Sequence, residues 1–170
     1  SDKAMLWTGT AASWLNICPA NRNNPKVNGT NGVQQIGTVQ QSELGNRASL
    51  WSGTAASWVD LTPAGATAAG GHGIDDTQQV GYATFDGLDE AGIWTGSANT
   101  WVSLAPGGSI IHSQAYGVND GKQVGAVVYS SGPIHASLWS NTAASWVDLH
   151  PTGTGSDSSR ANAVQGGQQV

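Results

Sequence analysis

The 170-residue chain has only 10% charged residues and a formal net charge of -5, so it offers no basic face for phosphates and nucleic acid is not an expected partner. No apolar run is long enough to span a membrane. A hydrophobic share of 38%, with 24 Gly and many Ser, Thr, Asn and Gln around eight Trp, argues against one large core and for short strands joined by tight turns.

One stretch recurs four times and holds nearly every large side chain: Leu6-Trp7 to Pro19, Leu50-Trp51 to Pro63, Ile93-Trp94 to Pro106 and Leu138-Trp139 to Pro151. The eight Trp fall in two columns, Trp7, Trp51, Trp94 and Trp139, then Trp14, Trp58, Trp101 and Trp146. The first column steps by 44, 43 and 45 residues, a period that suits one four-stranded antiparallel unit.

In chain order each unit reads as four segments. A short apolar piece ends in a turn rich in Asn, Asp and Gly: Gly29 to Gly32, Gly73 to Asp76, Gly117 to Gly121 and Ala163 to Gly167. A second strand follows at Gln34 to Gly37, Gln78 to Gly81, Lys122 to Gly125 and Gln168 to Val170, its Gly expected to admit a neighbouring ring. The third strand ends at the first Trp. A small polar loop such as Ser52 to Ser57 leads to the fourth, Trp58 to Leu61 and its counterparts, which makes the two Trp of a copy cross-strand neighbours. Pro then stops the ladder, and the variable stretches 20–26, 64–71, 107–114 and 152–160 lead to the next unit, together on one rim.

No segment has helical apolar spacing, so the fold class is all-β. The spacing predicts a single domain over 1–170, a β-propeller of four roughly 44-residue four-stranded repeats. Its first blade is to be completed by strands from both termini, because the chain starts in a third segment and stops in a second. A β-solenoid-like stack, or part of a larger propeller, is the alternative. With no initiator Met or signal peptide at Ser1, the sequence reads as a processed product or a segment of something longer.

Ala115 to Gly125 (Ala-Tyr-Gly-Val-Asn-Asp-Gly-Lys-Gln-Val-Gly), with His135 to Trp139 and Trp146 to Leu149, resembles the HAF-type extracellular repeats, a propeller-like family of bacterial secreted and surface proteins. The resemblance covers the whole chain. It implies an extracellular or cell-surface scaffold and carries over no catalytic residue. The family's third-segment His is present only at His135, with Lys3, Arg47 and Glu90 in the other copies.

The first Trp column is expected to pack between sheets. The second column, Trp14, Trp58, Trp101 and Trp146, is the more exposed and the candidate sugar platform. Asp60 and Asp148, where other copies have Asn16 and Ser103, are expected to satisfy backbone donors at a strand end rather than act as an acid–base pair. The turn column Asn31, Asp75-Asp76, Asn119-Asp120 and Gln165 could ring a central channel with oxygen atoms but lacks a calcium-loop spacing. His72, His112, His135 and His150 make no zinc motif, Cys18 stands alone, and neither a metal nor a cofactor is expected. Asn28-Gly29-Thr30 is a glycosylation sequon, with Asn28 the acceptor.

The expected function is a non-enzymatic structural or adhesive module, able to self-associate as a closed ring, a dimer or a head-to-tail fibre through its terminal blade. A multivalent carbohydrate-binding lectin is the alternative, and a hydrolase the third reading.

Overall fold

The computed structural model describes residues 3–41, 44–153 and 155–170. These residues are all-β, with three four-stranded antiparallel meanders flanked by two two-stranded sheets. In the first flanking sheet, β1 (Met5–Leu6) pairs with β2 (Leu15–Asn16). The first meander is β3 (Asn23–Thr30), β4 (Gln35–Gln41), β5 (Gly45–Trp51) and β6 (Val59–Asp60). The second is β7 (Ala68–Ile74), β8 (Gln79–Phe85), β9 (Leu88–Trp94) and β10 (Val102–Ser103). The third is β11 (Ile110–Asn119), β12 (Lys122–Tyr129), β13 (Ile134–Trp139) and β14 (Val147–Asp148). The last flanking sheet is β15 (Val164–Gln165) with β16 (Gln168–Gln169).

Each meander is built by chemistry that recurs at the sequence period. Asp86-Gly87 and Asp120-Gly121 have positive φ at both residues, the two-residue turn whose twist matches that of the strands it joins. The β3–β4 and β7–β8 turns are four-residue loops held by a side chain: Asn31 Oδ1 accepts the Val33 and Gln34 N–H groups, and Asp75 Oδ1 those of Thr77 and Gln78. Between the two Trp columns lies a short 3-10 turn, Ala55–Ser57 in the first meander. The hydroxyl before the second Trp ties that turn down: Ser57 Oγ accepts from Ser52 N and donates to Thr54 O, and Ser13, Thr100 and Ser145 do the same in their units.

The core lies between sheets. Trp94 packs with Ile36, Ala48, Leu50 and Leu61 of the preceding sheet, and Trp139 with Val80, Ala91, Ile93 and Leu104. Trp51 packs with Ala4 and Ile17. All three indoles are fully buried, as the first Trp column requires, whereas Trp7, which packs on no preceding sheet among the described residues, is 55% exposed.

Three expectations change. The Gly of the second strand does not make room for a ring: a Cβ on Gly37, Gly81 or Gly125 would lie 1.9 Å from the carbonyl oxygen of Lys26, Gly70 or Gln114. The neighbour is the paired inner strand, which carries a bulge there. The inner strands also start inside the supposed connecting loops, at Asn23, Ala68 and Ile110. Finally, among the described residues the shared terminal sheet is not formed: β1–β2 and β15–β16 are separate two-stranded sheets.

Candidate functional site

The second Trp column does not form four equal platforms. Trp58 Nε1 donates to Ser49 Oγ and Trp146 Nε1 to Ser137 Oγ, both at 3.0 Å, and the Arg22 guanidinium covers the Trp58 ring at 4.7 Å. In the second meander the Ser is replaced by Gly92, and Trp101 turns inward over it. A Cβ at Gly92 would lie 2.2 Å from the indole, and the ring packs 4.6 Å from Trp94 and 6.5 Å from Phe85. Trp14 alone in this column is mostly exposed, at 53%.

The strand-end polar column closes the backbone, as its variation among Asp, Asn and Ser suggests. Asp60 Oδ1 accepts from Thr62 N, Asp148 Oδ1 from His150 N, Asn16 Oδ1 from Cys18 N and Ser103 Oγ from Ala105 N. Asp60 and Asp148 lie in different sheets and are not a catalytic pair. Their second oxygens bind the residue 13 positions earlier: Arg47 to Asp60 and His135 to Asp148, with Ser103 donating to Glu90. This matched variation was legible in the repeat alignment as Arg with Asp, Glu with Ser and His with Asp, and the single-column reading missed it. Burial alone would raise Asp148. The hydrogen bond from His135, the His150 amide and the nearby imidazoles outweigh it and hold the carboxyl below its ordinary value.

His150 stacks on His135 at 4.1 Å, and its two ring nitrogens meet Ser159 Oγ and the Ser156 carbonyl. His112 Nδ1 accepts the Asp89 N–H. Both rings thus have structural partners. Cys18 is a half-buried free thiol.

A bulge column stitches sheet to sheet. Asn28 Nδ2 donates to Gly71 O at 2.7 Å, and His72 Nδ1, one repeat on, donates to Ala115 O at 3.1 Å. The nitrogen that would carry a glycan on Asn28 is therefore engaged in an inter-sheet bond, although the side chain is exposed. His72 sits between Tyr82 and Tyr116, and burial holds it below the ordinary histidine value despite the carbonyl bond, which raises it.

The turn column does converge: Asn31, Asp75, Asp76, Asn119, Asp120 and Gln165 face one open cavity of about 770 Å3. Asp75 is held within its own turn, and among the described residues no group of three or more His, Cys, Asp or Glu is placed to hold a metal ion. A smaller cleft of about 300 Å3 is lined by Asp89, His112, Gln114, Tyr116, Ile134 and Arg160. There Asp89 accepts from Thr84 Oγ1 and Gln114 Nε2, and Arg160 donates to Tyr116 Oη.

Exposed large apolar residues are spread over the molecule: Trp7, Trp14 and Leu15 lie at one flanking sheet and Val170 at the other, while Val33 and Leu44 lie on turns of the first meander and Val59, Val102 and Val147 on outer strands. Among the described residues no helix is long and apolar enough to cross a membrane. The chain is thus an all-β protein of repeated antiparallel sheets. No protein-family model, curated protein or solved structure matches it.

Proposed function

We propose that this chain is a non-enzymatic structural or adhesive scaffold of the propeller-like, HAF-type repeat kind, acting outside the cell or at its surface and self-associating through its terminal blade. The observation that supports this reading is the contrast within one Trp column. Trp51, Trp94 and Trp139 are fully buried against a preceding sheet, while Trp7, in the same local sequence, is 55% exposed. The same side chain is buried wherever a sheet precedes it, which is how a stacked-sheet scaffold holds its repeats together.

Sedimentation of the 170-residue chain over a concentration series, with Trp emission recorded in parallel, tests it. Growth in mass with a blue shift, as Trp7 and Trp14 leave water, is the expected result. A monomer of unchanged emission at every concentration refutes the reading. The lectin alternative would show instead as saturable quenching by a sugar that leaves the mass unchanged, with Trp14 as the ring concerned.

A further inference from the structure

The second and third meanders differ at one antiparallel pair between their first two strands. In the second, Gly70 lies opposite Tyr82, and a Cβ on Gly70 would meet that ring at 2.6 Å. The Tyr82 hydroxyl bonds the Asn46 side chain of the preceding sheet. In the third meander the same pair is Gln114 opposite Ala126. Gln114 takes over the bond to the preceding sheet, donating to Asp89 Oδ2 at 2.8 Å, and Asp89 stands five residues before Trp94 as Asn46 stands five before Trp51. The Tyr82 ring has no counterpart there, and the cleft of about 300 Å3 lies beside Ala126. Its walls come from the second and third meanders and from Arg160 in the connection that follows them.

The lining sets acceptors and donors around an apolar side. Asp89 Oδ1 holds the Thr84 hydroxyl and Oδ2 the Gln114 amide, which uses about half of the carboxylate's accepting capacity. His112 Nδ1 accepts the Asp89 N–H, so in the neutral ring the proton sits on Nε2 as a donor. Tyr116 Oη accepts from Arg160 Nη1 at 3.1 Å and keeps its own proton to donate. Neither Asp89 nor Arg160 has an oppositely charged partner within ion-pair distance among the described residues. Ala126, Val128 and Ile134 make the apolar side. Asp89 and His112 also line a second hollow of about 120 Å3, bordered by Leu88 and Ile111.

We propose that this cleft binds one pyranose ring of a glycan, its hydroxyls donating to Asp89 and accepting from Arg160, Tyr116 and His112, with its C–H face on Val128 and Ile134. The repeat supplies the template. One sheet earlier the equivalent place is filled by a six-membered ring whose hydroxyl ends at Asn46, the counterpart of Asp89. A phenol needs one polar partner, whereas the several that converge here match a ring with several hydroxyls. A carboxylate beside a guanidinium suits neighbouring hydroxyls, which donate to the one and accept from the other. The hollow past Asp89 and His112 gives a glycan chain a way out. The inference rests on the adhesive side of the reading above, names what is gripped, and is independent of self-association.

In the test, the 170-residue chain is titrated with the methyl glycosides of glucose, galactose, mannose and glucuronic acid, and with p-cresol as a plain phenol, while backbone amide resonances are followed by NMR. Saturable shifts with at least one glycoside, confined to Asp89, residues 112–116 and 126–128, and Arg160, are the expected result. Ala126→Tyr, which puts a ring like that of Tyr82 into the gap, should abolish them. If that variant does not fold, Asp89→Asn and the exposed Arg160→Gln decide: each should weaken glycoside binding about tenfold, the effect of one charge-assisted hydrogen bond, and leave distant resonances in place. Binding of p-cresol in the cleft and of no glycoside overturns the sugar assignment. Shifts at the Trp14 indole and at none of these residues belong to the Trp platform and overturn the cleft. No shift with any glycoside up to about 100 mM, well above a millimolar Kd, overturns the site and leaves the scaffold reading to its own mass series.

Discussion

Truncating Trp94 to Ala and Trp7 to Ala makes the same chemical change at two positions of one repeat column, and the structure assigns them very different effects. Trp94 is fully buried among Ile36, Ala48, Leu50, Leu61, Ala69 and Ala83, so its removal leaves a cavity between two sheets that each hold their own hydrogen bonds. The destabilisation expected is about 3–5 kcal/mol. With a urea dependence of about 2 kcal/mol per molar, that is a midpoint shift on the order of 2 M. Trp7, 55% exposed, should cost a small fraction of this in the monomer. Trp94→Phe should fall well short of the Ala variant, because it keeps most of the ring and removes an Nε1 donor that is buried without a partner among the described residues. The assay is urea unfolding by circular dichroism at concentrations where the chain is monomeric. A broadened transition would itself report sheets separating one at a time. Equal midpoint shifts for Trp94→Ala and Trp7→Ala would refute the placement of the core between sheets.

Gly92→Ala puts a Cβ inside the Trp101 ring and should cost about 1–3 kcal/mol. Gly92→Ser should turn Trp101 into the pose of Trp58, seen as a shifted indole N–H resonance once it gains a Ser acceptor. Because burial depresses His72, the unfolded chain takes up that proton first. Stability should therefore fall as pH drops below about 6.5 toward the folded value. His72→Asn, which can make the carbonyl bond as Asn28 does, should remove that slope from thermal melts between pH 7 and 5. Asp148 is depressed, so its contribution is full above its unfolded value near 3.8 and is lost as pH falls through the folded one. Asp148→Asn should flatten that acid limb, and an unchanged profile would show the His135 contact to be idle.

The repeat period and the two Trp columns were legible in the sequence because they are local. Alternation within a strand determines which face a side chain takes, and Pro63, Pro106 and Pro151 mark where a ladder stops. The role of the Asp60 and Asp148 column was legible for the same reason, since a side chain capping the amide two residues on needs no tertiary partner. The inward turn of Trp101 was written in a single letter, Gly92 where Ser49 and Ser137 stand, but only the packing against Trp94 gives that letter meaning. The 1.9 Å approach at Gly37, Gly81 and Gly125 depends on a bulge in the opposing strand, which a period alone does not reveal. Whether the terminal strands share a sheet is decided by the stacking of successive sheets. That geometry accumulates along the chain and is carried by no local motif, so the separation of β1–β2 from β15–β16 was decided by the tertiary structure alone.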